Sequence, residues 1–411
     1  MHKLTGNYMI YLLAIVPVAL VTGPFIPDLI ISILGLFGIF IIIKEKKINY
    51  IKNKYSLLFF TFYTIILLSS LFSDDIIFSF QSSLFYFRFY FFSIIVFYLL
   101  KNFNNTQYIF LYFLTLTFFI VSCDGIYEYF MGQNILGYSA SNSSRIAGFF
   151  NDEWVIGSYL VRLLPLMVYL YLNNTIHNHF FKYFFYLSAI LSMITILISG
   201  ERAAYLLLIF YISTFYFFYL YKDFKIIKLI IIPLVITWLA IPFLLGDKTS
   251  NRITADLTTH TSINKSQNVY LAMYSVAFQM FLDRPILGHG TKFFRINCEI
   301  YKDNQDDYGC NTHPHNLYLQ FLSETGIIGF SFIFFIFLSF IKKLIYLLKD
   351  NNILMKHHLA QCSLLCCFII TLWPLLPTGS FFNNWLSVIY YLPMGFFLNT
   401  VFDKNFKNIT N

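Results

Sequence analysis

Residues 310–330 read CNTHPHNLYLQFLSETGIIGF, with two histidines flanking a proline just before an apolar run. An imidazole near neutrality can take a proton from a hydroxyl, ligate a metal, or simply hydrogen-bond at an interface. Pro314 suits the first turn of a helix, where its missing N–H would lack a partner anyway. Thr312 or His313 then reads as the N-cap region and His315 as a first-turn residue. The positive end of the helix dipole disfavours imidazolium there, leaving His315 able to accept a proton. The same helix end attracts phosphate. At about 100° per residue, Gly326 and Gly329 fall near the His315 face and Glu324 opposite it. Two glycines beneath a base leave either a groove for a lipid chain or a place for close helix contact. Cys298, Cys310, His313 and His315 also offer a zinc-like donor set, although the spacing is not a familiar one.

A second group of residues is unexpected for its setting. Arg88, Asp124, Glu128, Arg162, Glu201 and Arg202 lie within or at the ends of apolar runs, and Asp152 and Glu153 open another. Ionisable groups in such segments are costly and mark candidate functional positions. They read either as ion pairs holding helices together or as a surplus of arginine for an anion. Arginine suits phosphate because its planar fork binds bidentately and stays charged when desolvated. Arg202, on the tight turn ISGERAAY, favours the second reading.

The elements that must position these residues follow from composition. The chain has 411 residues, 58% hydrophobic and 12% charged, with mean hydropathy +0.66. No soluble domain could hide that much apolar surface, so the class expected is an all-α polytopic membrane protein. About twelve segments of about 17–25 residues can cross a bilayer. They lie near 8–22, 26–43, 55–72, 82–100, 107–130, 154–172, 180–198, 203–221, 226–245, 317–341, 359–377 and 382–400. Lys44, Lys46, Lys47, Lys52, Lys54, Lys222, Lys225, Lys228, Lys342, Lys343, Lys349, Lys356, Lys404 and Lys407 all fall on one side if both termini are cytoplasmic. The opposite side receives Asp74 and Asp75, the 131–153 loop, the 199–202 turn and a large 246–315 loop before the tenth span. That loop holds seven Lys/Arg and seven Asp/Glu, without cytoplasmic bias. The basic pI near 8.9 therefore reflects membrane orientation, and no nucleic-acid partner is expected. The N-terminal apolar run reads as an uncleaved first helix. The whole chain, 1–411, reads as a single integral membrane domain. On an oxidising outer face Cys298 and Cys310 are expected to pair, while Cys123, Cys362, Cys366 and Cys367 read as packing residues.

With these features assembled, the chain resembles the O-antigen ligase and O-antigen polymerase superfamily of bacterial inner-membrane proteins. The family hallmark is His, then Asn, Ser or Gln, then nine residues, then Gly-x-x-Gly. His315, Asn316, the nine residues 317–325, Gly326 and Gly329 match it. A Pro-x-x-Gly-x-Gly turn is present as Pro285, Gly288 and Gly290, and an arginine at an outer turn as Ser199, Gly200, Glu201 and Arg202. The sequence departs from the family where many relatives place a second arginine. That neighbourhood reads NKSQNVY, so Asn268 or Tyr270 stands near the expected position, leaving Lys265, Arg252 or Arg284 to supply the charge.

The resemblance implies glycan transfer from a polyprenyl-diphosphate-linked donor to an acceptor hydroxyl at the periplasmic face of the bacterial inner membrane. It implies His315 as general base and inversion at the anomeric carbon. Arg202, with Arg145 and a loop cation, would stabilise the leaving diphosphate without a metal or other cofactor. His313 would orient His315 or meet the acceptor, and Asn316 would fix the loop or the tautomer. The acceptor is lipid A–core for a ligase, the reading preferred here, and another lipid-linked repeat unit for a polymerase. A transporter or flippase of lipid-linked sugars is the alternative from another class. Transporters usually carry internal repeats and broken helices. No repeat is visible here, and the unusual polar groups crowd one face.

Overall fold

In hydrocarbon no water satisfies a backbone N–H or C=O, so apolar segments must close their hydrogen bonds internally as helices. The structure, a computed structural model, describes residues 3–139, 145–220, 269–302, 309–349 and 355–402, and among these every regular element is helical. The first half contains α1 (Lys3–Ala19), α2 (Phe25–Lys44), α3 (Lys54–Leu71), α4 (Ile76–Ser83), α5 (Phe87–Asn102) and α6 (Thr106–Met131). Next come α7 (Ile156–Asn173), α8 (His179–Ile198) and α9 (Arg202–Leu220). The remainder holds α10 (Val269–Asp283), α11 (Phe294–Tyr301), α12 (Leu317–Lys349), α13 (Met355–Thr371) and α14 (Asn384–Phe402).

Among the described residues nine helices are long and apolar enough to cross a membrane, with Ile76–Asn102 taken as one stretch. They correspond to nine of the twelve expected spans. The first and eleventh appear as helices of 17 residues each, α1 and α13. The expected ninth, 226–245, lies outside the described residues. Polar residues punctuate the spans as helix caps. The Asn53 side chain accepts from Tyr55 N and Ser56 N at 3.0 Å each, and that of Asp75 from Phe78 N at 2.9 Å.

Contacts along the helices define two ends. At one, Gly6 packs on Phe103, Tyr98 Oη donates to Glu45, Lys343 reaches Tyr55, and Phe402 faces Tyr55 and Phe97. The starts of α1 and α3 and the ends of α2, α5, α12 and α14 therefore share this end, together with Lys44, Lys47, Lys54, Lys101 and Lys343. At the other end, Tyr159 Oη donates to Pro17 O at 2.8 Å and Trp385 Nε1 to Leu20 O at 2.7 Å. Here lie the described residues 131–139, 145–155, 199–202 and 372–383. The two ends of the described chain both fall at the lysine-rich end.

Several of the intramembrane charges are engaged by groups of the fold itself. Arg88 pairs with Asp28 at 2.6 Å across α5 and α2. Glu128 accepts the N–H groups of Ala147 and Gly148, and Asp124 accepts that of Ile135, so the two acids tie Ile135, Ala147 and Gly148 to α6. Buried Arg162 donates to Ser158 O at 3.2 Å within α7.

Candidate active site

The two glycine motifs form one interlock. α12 is broken at Gly326, whose φ of 65° and ψ of −166° belong to a region open essentially to glycine alone. The break frees carbonyls and an N–H of α12, and the 285–290 turn takes them. His289 N donates to Ser323 O at 3.0 Å, Gly290 N to Glu324 O at 2.9 Å, and Ile327 N to Pro285 O at 2.8 Å. A Cβ at Gly326 would stand 2.3 Å from Ile286 O, and one at Gly288 would stand 2.5 Å from Thr325 N. The glycines thus serve close backbone contact, the second of the two uses open at the level of sequence. Although α12 is a broken helix, the groups it frees are spent on protein partners. Glu324 is fully buried and accepts from Lys292 N, Phe294 N and Gln320 Nε2 at 2.9, 3.4 and 3.0 Å, fastening the start of α11 to α12.

This interlock fixes the start of α12, where the structure revises the expected cap. The helix begins at Leu317, and Asn316 caps it by accepting from Tyr318 N and Leu319 N at 3.0 and 3.1 Å. The amide nitrogen of Asn316 donates to Pro374 O at 3.0 Å. Asn316 therefore uses its side chain to hold the loop to the start of α12. His315 lies just before the cap instead of within the first turn, in a left-handed conformation with φ 52°. That conformation is uncommon outside glycine and costs about 1–3 kcal/mol unless its surroundings fix it. Here the His315 carbonyl accepts from Thr378 N at 2.9 Å.

The hydrogen bonds set both imidazole tautomers. His313 Nε2 faces the carbonyl of Thr378 at 3.1 Å; a carbonyl only accepts, so this nitrogen carries the hydrogen. His313 Nδ1 then accepts from the Thr312 hydroxyl at 2.9 Å. Asn311 Oδ1 accepts from Thr312 N at 2.6 Å, which turns its Nδ2 toward His315 Nε2 at 3.3 Å. His315 Nε2 is therefore the bare, proton-accepting nitrogen. The two rings stand 4.1 Å apart, and the edge of Tyr270 meets His315 at 5.9 Å. Burial lowers the pKa of His315 from its ordinary 6.5. Burial first, then the neighbouring His315 and the charge of Arg295, push His313 down to about 3. The neutrality expected from the helix dipole thus has burial as its cause.

The expected cations distribute unevenly. Arg202 opens α9 beside Glu201, whose buried carboxylate accepts from Gly157 N, Ser158 N and Ser158 Oγ at 2.6, 3.1 and 2.6 Å and caps α7. Burial raises the pKa of Glu201, opposed by these bonds and by Arg162. Arg145 stacks over Trp154 at 5.4 Å, close to the same α7 start. Arg202 shares its end of the bundle with the histidines. Running back along α9, Phe218 meets His358, Tyr211 Oη meets Ser363 Oγ, and Phe210 meets Trp373, where α13 turns into the segment carrying Thr378. Arg284, by contrast, is engaged by the Asp74 carboxylate and by Phe72 O, so the α3–α4 turn occupies it. Arg252 and Lys265 lie outside the described residues.

Sequence reasoning passed over Asn311, Thr378 and Arg295. Asn311 stands four residues before His315, which was its only signal. Arg295 is an exposed residue on α11 with no carboxylate in ion-pair contact among the described residues, yet its charge reaches His313. Cys298 and Cys310 are joined in a disulfide, which removes both thiolates from the zinc-like set and ties α11 to the histidine segment. What the arrangement offers is a neutral base of defined tautomer, with cations at the same end of the bundle.

Residues 187–334 match the family model described as O-antigen ligase, a stretch that includes the 199–202 turn, the 285–290 turn and the histidine motif. A search of the curated proteins gives no match.

Proposed function

We propose that this integral membrane protein, a member of the O-antigen ligase and O-antigen polymerase superfamily, transfers a glycan from a polyprenyl-diphosphate donor to a sugar hydroxyl, with lipid A–core as acceptor. The membrane is the bacterial inner membrane. The lysine-rich end faces the cytoplasm by the positive-inside rule, which puts both termini there and the histidines at the periplasmic face. Residues 1–411 act as one membrane domain, with 246–315 as its periplasmic loop.

In the reaction the acceptor oxygen attacks the anomeric carbon while the bond from that carbon to the diphosphate oxygen breaks. The bonding pair leaves with the diphosphate, the hydroxyl proton passes to His315 Nε2, and the anomeric centre inverts. Arg202, Arg145 and Arg295 stabilise the charge that grows on the diphosphate. Arg295 takes the place of the family's second arginine, ahead of Arg284, because Arg284 is already held by Asp74. His313, neutral beside His315, keeps a second positive charge away from the base or contacts the acceptor.

The observation that carries this reading is half-buried His315 with Nε2 placed as the acceptor of the Asn311 amide, at the end of the bundle that also bears Arg202. Its test is His315→Ala, expected to abolish transfer while the protein still inserts in the membrane; transfer at the wild-type rate removes His315 as base. Lipopolysaccharide profiles of a deletion strain separate the acceptors. Missing O-chains with accumulated long lipid-linked polymer fit the ligase, whereas a single repeat unit on the core fits the polymerase.

A further inference from the structure

The lysine-rich end contains a feature that glycan transfer does not use. An apolar cleft of about 170 Å³ runs between α3, α12, α13 and α14. Leu58, Phe59, Phe332, Ile336 and Phe368 are among its lining residues, and Lys343 stands at its end. Leu58, Phe332 and Ile336 are only half-buried, so the cleft opens sideways between α3 and α12. An apolar space of this size accepts an apolar guest.

Two ammonium groups converge where the cleft ends. Lys343 Nζ donates to Tyr55 Oη at 2.8 Å and lies 5.1 Å from the centre of the Tyr55 ring, while Lys54 Nζ lies 5.3 Å from the same ring. Lys343 also sits 4.3 Å from the Phe397 ring. Among the described residues no carboxylate forms an ion pair with either lysine. An aromatic box satisfies one cation partially. It does not cancel the repulsion between two cations drawn to one tyrosine. A lipid phosphate between them would do so, with its chain continuing into the apolar cleft, and basic residues at a membrane surface draw anionic lipids by the same attraction.

We propose that Lys54, Lys343 and the adjoining cleft form a site for one anionic glycerophospholipid, its phosphate on the lysines and an acyl chain between α3 and α12. The proposal is independent of the glycan-transfer reading, since neither lysine belongs to that machinery.

The test uses the full chain purified in detergent, with phosphatidylglycerol and phosphatidylcholine as probes and bound lipid counted by native mass spectrometry. Wild type should bind phosphatidylglycerol at least about tenfold more tightly, because both lipids carry the phosphate but only phosphatidylglycerol has a net negative charge, whereas the choline ammonium of phosphatidylcholine is repelled by the two lysines. Lys54→Ala with Lys343→Ala should erase the preference. Lys343→Arg should keep it, and Ile336→Trp should lower retention by filling the cleft. Lys54→Ala alone, at an exposed position, supplies a variant that folding loss does not confound and should weaken the preference severalfold. Equal binding of the two lipids, or a preference untouched by the lysine changes, overturns the proposal. So does a polyprenyl phosphate that displaces phosphatidylglycerol and is retained by the lysine variants but not by Ile336→Trp, because the cleft would then be a channel for the donor's tail.

Discussion

At the residue scale the proposed reaction turns on a base that stays uncharged. His315 has a pKa lowered by burial from 6.5, so it remains deprotonated at pH values where a free imidazole has begun to charge. The kcat/KM of transfer should therefore hold level as pH falls through 6.5 and decline only below it; a midpoint at or above 6.5 would contradict the burial argument. The stability consequence has the same sign. Below 6.5 the unfolded chain takes up protons at His313 and His315 that the folded protein refuses, so stability falls as pH drops through that range. For the cations, Arg202→Lys keeps the charge but loses the bidentate fork, and transfer should fall at least about tenfold. Arg295→Gln should lower kcat/KM by about 10²-fold if it meets the departing diphosphate. A purely structural role for Arg295 would instead appear as reduced protein with normal kinetics.

At the element scale the site depends on a helix that stops and restarts. Gly326→Ala combines a forbidden backbone conformation with a Cβ 2.3 Å from Ile286 O. It should sharply lower the amount of folded protein in the membrane, measured by fluorescence-detected gel filtration, whereas Ile327→Ala beside it should be tolerated. Glu324→Ala leaves two N–H groups and the Gln320 amide without their acceptor, a loss of about 2–4 kcal/mol. The disulfide acts at the same scale. Cys298→Ser with Cys310→Ser should cost about 2–4 kcal/mol and lower transfer, since the cross-link tethers the segment bearing His313 and His315 to α11.

At the scale of the whole molecule, two ends of unlike chemistry set the direction of the protein in its membrane. Lys47→Cys and Glu153→Cys place exposed thiols at opposite ends. In intact cells stripped of their outer membrane, a membrane-impermeant maleimide should label the Glu153 position and spare the Lys47 position. The reverse pattern would put the histidines on the cytoplasmic side and remove the proposed reaction from the periplasm. The lipid site at the lysine-rich end fits the same orientation, with its phosphate among the anionic headgroups of the inner leaflet.

The sequence by itself determined the helical class, nine of the spans and the gathering of lysines at one end, because hydrocarbon tolerates only internally bonded backbone and long apolar runs declare themselves locally. Its motifs also marked His315, Gly326 and Arg202 as positions to explain. Tertiary structure alone decided how those positions are held. The α12 break requires a partner turn far earlier in the chain, at 285–290, which donates two N–H groups and accepts one. The tautomers of His313 and His315 rest on Thr378, Thr312 and Asn311, and the start of α12 rests on Asn316 as cap. The same packing set Arg284 aside in favour of Asp74 and brought unremarked Arg295 close enough to act on His313. Hydropathy is a property of each segment alone, whereas hydrogen-bond satisfaction and burial are properties of segments brought together, and only the folded chain contains them.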